Sequence, residues 1–236
     1  MSSHTKTALL SYRTLPLSRE RFGKRSAGQL THHGASRNTR IGGTIISRSG
    51  IVGVSDHGGW AVLVTSSGSG QLLDRRRVEL VDEDLPKLPH HHEGQMLPLD
   101  QAVALVERVR VSADRHARLG LDAVAAAVDG PILGVAIRQC PPLPRTTAER
   151  IQSYQAQTRA DTVMYREALA AAAEARRWPV HWYDARQVLD VASRALRVEN
   201  LDAHFVRVRS SFGAPWGQDH KIAMAAAIAV MNARSV

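Results

Sequence analysis

Cysteine occurs once in the 236 residues, as Cys140, which excludes an internal disulfide and a cysteine-based zinc site. No stretch approaches the roughly 18–20 uninterrupted apolar residues of a membrane span, and nothing at the N-terminus reads as a charged region leading into an apolar secretory core. A cytoplasmic protein, away from membranes, is the expectation. Acid is nearly missing from the first 50 residues, where Glu20 alone stands against nine Lys or Arg, a net of +8. The rest of the chain carries 22 basic and 21 acidic residues, so the formal charge of +9 belongs almost wholly to that segment. A basic protein usually suggests nucleic acid, but here the folded part is close to neutral and has little field with which to steer a polyanion. Lysine is scarce too, 4 against 27 arginines. With the abundant alanine, this reads more readily as a GC-rich genome than as selection for phosphate binding.

What is present is enough for one sizeable core. Hydrophobic residues make up 44% and charged residues 22%, which argues against wholesale disorder, and the length suits one domain. Residues 1–47 mix Ser, Thr, His, Gly and Arg without a sustained apolar period, and the expectation is a basic, disordered extension. A transit segment, a basic arm for nucleic acid and an extension without a role are the three readings. The last is preferred, because the segment has neither a clear amphipathic helix nor interleaved aromatics for stacking. Residues 48–236 then form the domain.

From Ile51 the pattern changes. Ile51 to Asp56 is a β-branched run, His57-Gly58-Gly59 a turn signal, Trp60 to Thr65 a second apolar run, and Leu72 to Val81 a third strand with one solvated face, which together predict an antiparallel meander. Residues 82–97 read as loop. Leu99, Val103, Val106 and Val109 place an apolar stripe on a helix running to about Leu119, and Pro131 to Ile137 reads as a buried strand. Thr146 and Glu149 have capping-box spacing for one long helical stretch to Arg177. Pro179 to Tyr183 is a fifth strand, Asp184 with Gln187 caps the helix that follows, and further helices are expected from Glu199 and after Gly213-Ala-Pro-Trp-Gly217. The last presents Ile222, Ala226, Ala229 and Val230 to the sheet. The fold class is α/β, a three-stranded antiparallel meander followed by parallel strands in one mixed sheet flanked by helices.

The element order, the run Gly53-Val-Ser-Asp56-His-Gly-Gly-Trp-Ala-Val and the late helix opening with Asp219-His220-Lys-Ile-Ala-Met-Ala resemble the ribonuclease H-like superfamily, and within it the RuvC-type Holliday-junction resolvases, over roughly residues 51–233. The resemblance implies a divalent-metal-dependent nuclease, or a nuclease-derived nucleic-acid-binding protein, whose partner is branched or structured nucleic acid; a homodimer is a further expectation. In that family the first-strand aspartate and an acid near the start of the last helix lie side by side and, with a fourth-strand glutamate, hold two Mg²⁺ or Mn²⁺ ions, hard cations that need clustered carboxylates. Asp56 and Asp219 are the matching residues, with Glu93 and His220 as further metal candidates and Arg138, Arg145 and Lys221 as nucleic-acid contacts. The third acid is absent. Gly134-Val-Ala-Ile-Arg138-Gln139 places an arginine where the glutamate belongs, and a guanidinium there opposes metal binding. Two alternatives stand beside this reading. One is a non-catalytic interaction protein on a degenerate scaffold; the other is an actin-like ATPase relative, which lacks a second glycine-rich motif here. Asp56 alone also reads as a turn former and Asp219 as a helix cap. The triplet His90-His91-His92 reads as a solvated loop before it reads as a metal site.

Overall fold

Five strands form one sheet in the order β3-β2-β1-β4-β5. The structure is a computed structural model and describes residues 49–233; the expectation for residues 1–47 lies outside the described residues. β1 (Gly50–His57) is central. It pairs antiparallel with β2 (Trp60–Ser66), which pairs antiparallel with β3 (Leu72–Glu79). On its other side β1 runs parallel to β4 (Ile132–Arg138), which runs parallel to β5 (Val180–Tyr183). The expected meander and parallel half are both there, in one mixed sheet. Among the described residues, no helix is long and apolar enough to cross a membrane.

The period-2 alternation of β1 divides the core. Val52 and Val54 join the cluster under α1 (Leu99–Ala127) and α3 (Tyr154–Ala175). Ile51 joins the other, under α6 (Gln218–Ala233), with α4 (Val188–Leu196) and α5 (Leu201–Phe212) beside it. α6 is buried from Ala223 to Ala229, so the expected one-sided apolar stripe is in fact apolar nearly all round. Where it crosses β1 the backbones almost touch: a Cβ on Gly53 would lie 1.8 Å from the Ala223 carbonyl oxygen.

Three element boundaries differ from those read in the sequence. α1 continues past Gly120 to Ala127, because that glycine lets the helix close on β3, where a Cβ would meet Val78 Cγ1 at 3.2 Å. The helical stretch after Thr146 is two helices, α2 (Thr147–Gln152) and α3, broken at Ser153 with extended backbone. The Ile151 carbonyl freed there is taken up by the side-chain amides of Gln95 (3.0 Å) and Gln157 (2.9 Å). The capping box itself is present. Asp184 does not cap α4; its carboxylate accepts from the Arg186 amide in a turn, and Gln187 sits at the N-cap without a side-chain bond.

Candidate functional site

At the C-terminal end of β1, successive residues point to opposite faces, and the two candidate metal ligands part company. Ser55 and His57 point towards α6. Ser55 Oγ donates to Asp219 Oδ1 at 2.9 Å, and His57 Nε2 donates to the same oxygen at 2.8 Å. Asp219, in the first turn of α6, therefore stands beside Ser55 rather than beside Asp56. Burial pushes its carboxyl up, but the hydrogen bonds from His57 and Ser55 outweigh that and hold it below the usual carboxylate range.

Asp56 faces α3. Its side chain is fully buried and receives Arg166 Nε on Oδ2 at 2.8 Å, while Arg138 Nε lies 3.7 Å from Oδ1. Arg166 also donates to the Gln139 carbonyl at 3.1 Å. Oδ1 of Asp56 and Nε of Arg138 are both buried without a hydrogen-bond partner. One carboxylate thus answers two guanidiniums in a dry setting, an arrangement that demands its partners.

The other candidates are dispersed. His220 Nδ1 accepts from the Gly217 amide at 3.2 Å, and its imidazole is held below its ordinary pKa by burial and by the charge of Arg75, with Asp219 opposing. Lys221 pairs with Asp202 at 2.9 Å. Arg145 is exposed in the loop before α2. Glu93 is exposed in the loop that packs on α3, and its charge, after burial and Asp161, helps push the Tyr165 phenol up. In the same loop His90, expected to be solvated, is buried: its Nδ1 and backbone amide both meet Asp161 Oδ1 at 2.9 Å, and the His91 amide donates to Oδ2 at 3.1 Å. His90 and the His91 amide anchor the loop. Asp161 supplies an acceptor that no local pattern announced.

The residues do not fit a pair of metal ions. Asp56 is already neutralised, Asp219 lies on the other face of the sheet, and among the described residues no group of three or more His, Cys, Asp or Glu is placed to hold a metal ion. Nor do Ser55, His57 and Asp219 form a nucleophilic triad. A triad places histidine between serine and carboxylate so that imidazole can take the hydroxyl proton; here the carboxylate is in the middle and both groups donate to it.

Around this trio the surface is tied down. The rings of His57 and Trp60 stack at 4.0 Å with 8° between planes, and the Arg77 guanidinium lies 3.8 Å from the Trp60 centroid. Since β1 and β3 flank β2 on opposite sides, His57 and Arg77 cover opposite faces of the indole. Arg75 donates to four successive carbonyls, those of Phe212, Gly213, Ala214 and Pro215, at 2.8–3.1 Å. That fork fastens the loop delivering α6 to the edge strand β3. Ser55, His57, Arg75 and Arg166 were not singled out in the sequence. For Ser55 and His57 the signal existed, since they share parity with Gly53; for Arg166, 110 positions from Asp56, there was none.

The strand order and the register above define an α/β protein built on one five-stranded mixed sheet flanked by helices. No family model matches the sequence, and no curated protein matches it. Among solved structures the chain is similar to Thermus thermophilus RuvC in complex with a Holliday-junction substrate, at 14% identity and TM-score 0.42 over 79% of this chain and 96% of that one. It is similar also to a second Thermus thermophilus RuvC structure, at 14% identity and TM-score 0.39 with the same coverage.

Proposed function

We propose that this chain is a nuclease-derived nucleic-acid-binding protein that holds its ligand without cutting it. The observation that carries this is the separation of Asp56 from Asp219 by the sheet, with Asp56 committed to Arg166 and Arg138. Two-metal phosphodiester hydrolysis needs carboxylates converging on one point, and neither Ser55 nor Arg138 supplies one. The expected result of incubating the protein with branched and single-stranded DNA and RNA in Mg²⁺ or Mn²⁺ is binding without cleavage. Cleavage lost in Asp219→Asn would overturn the reading and restore a catalytic role for that acid.

The grip itself is assigned to the basic first 50 residues, the one region with a charge excess, because nonspecific affinity scales with phosphates neutralised. Removing residues 1–47 is therefore expected to flatten the dependence of affinity on salt and to leave the melting temperature within error. Equal slopes for the full and shortened chains would move the binding surface onto the folded part. No binding by either would favour the interaction-protein alternative, for which the near-neutral charge of the folded part speaks.

A further inference from the structure

Beyond the C-terminal ends of β4 and β5 lies a cavity of about 420 Å³, lined among others by Arg138, Pro141, Pro142, Tyr183, Asp184 and Arg186. This is the end of a parallel pair at which open α/β sheets receive ligands, and the chemistry described so far leaves it unused. Arg138 is its notable wall. The Nε atom is buried and without a hydrogen-bond partner, 3.7 Å from an Asp56 that Arg166 already holds at 2.8 Å. A third of the Arg138 side chain is nevertheless exposed, at 32%, and its guanidinium fork lines the cavity with the Tyr183 hydroxyl as a hydrogen-bond neighbour.

The charges around it leave that fork underused. Asp56 is shared between two guanidiniums. Asp184 spends an oxygen on the Arg186 amide, and Glu167 stands exposed on α3, on the Cys140 side. Arg186 adds a second guanidinium on the exposed rim. Tyr183, whose hydroxyl donates to the Val54 carbonyl at 2.7 Å, fixes the floor. A half-buried cation whose ion-pair partner is already held by another guanidinium favours an anion. Two planar forks favour a phosphate, which can accept from both at once.

We propose that this cavity binds a phosphate group through Arg138 and Arg186. Where the nucleic-acid reading above holds, on which this assignment of source rests, the group is the terminal phosphate of a strand; a free phosphorylated metabolite carries the same chemistry. The full chain is titrated with inorganic phosphate, a nucleoside 5′-monophosphate, and one oligonucleotide with a 5′-phosphate or a 5′-hydroxyl, followed by calorimetry and by the arginine Nε–H resonances. The expected result is saturable phosphate binding that shifts the Arg138 Nε–H signal and about a tenfold preference for the phosphorylated oligonucleotide, from a lost charge-assisted hydrogen bond. Arg138→Gln and Arg186→Gln should each weaken it by about tenfold on the same grounds; the exposed Arg186 serves where Arg138→Gln impairs folding. Phosphate or monophosphate bound in an Arg186-dependent way, with neither oligonucleotide bound, would keep the pocket and reject the nucleic-acid reading. Absence of binding by every phosphate probe, or binding indifferent to both substitutions, would overturn the proposal.

Discussion

Asp56→Asn is expected to lower stability by about 3 kcal/mol, the scale of breaking a buried ion pair by removing one partner. The variant keeps the shape of the side chain and its oxygen for Arg166, but two buried or half-buried guanidiniums lose the one anion between them. For a domain of this size that amounts to a fall in melting temperature of roughly 10 °C. Urea denaturation of Asp56→Asn, Arg138→Gln and the double variant checks it, and the second substitution should cost less in the presence of the first, since one cation has already lost its reason to be there. The metal-ligand reading demands the reverse. There Asp56→Asn would leave the fold unchanged or stabilised through relief of like-charge repulsion, and would abolish Mn²⁺ binding. The same substitution thus separates a structural from a catalytic aspartate.

Gly53→Ala is expected to be worse, at or beyond the upper end of the roughly 1–3 kcal/mol typical of overpacking. The new methyl would meet backbone, 1.8 Å from the Ala223 oxygen and 2.9 Å from the Ala227 nitrogen, and no rotamer change relieves a clash with a helix main chain. α6 must lift from β1, and lifting it draws Asp219 away from Ser55 and His57. Denaturation measures the first effect. The titration of the Asp219 carboxyl reports the second, because losing the hydrogen bonds from His57 and Ser55 that hold it below the usual carboxylate range lets it rise. Unchanged stability with an unchanged Asp219 would show that the helix does not ride on that glycine.

Much of the architecture was legible because it was written in local periodicity. The β-branched runs at Ile51, Trp60 and Pro131 gave the strands, and Thr146 with Glu149 gave a cap that the structure contains. The break at Ser153 was not legible, since what stabilises it are amides arriving from Gln95 and Gln157 onto one freed carbonyl. At the site the difficulty was parity. The acid that ends a strand attracts attention, yet a strand presents alternate residues to alternate faces, and counting from Gly53 puts Ser55, not Asp56, towards the last helix. The fates of Asp56 and His90 were set by Arg166 and Asp161, both on α3 and both distant in sequence, where only the assembled fold shows the partner.

The position of α6 after every strand has a kinetic consequence. The meander β1–β2–β3 closes through short turns and can pair as soon as it is made, whereas the helix that covers Ile51, Val62, Val64 and Ala136 is synthesised well after it. Loop closure over such a separation is slow relative to hairpin formation. A nascent chain therefore passes through a stage in which one face of a formed sheet is apolar and bare, the kind of surface that recruits chaperones or other copies of itself. Chains halted before Gln218 would be arrested at that stage; in a chain that has made α6, the Arg75 fork, which fastens the loop at Phe212–Pro215, acts as a latch that shortens the wait by holding the incoming helix near its seat.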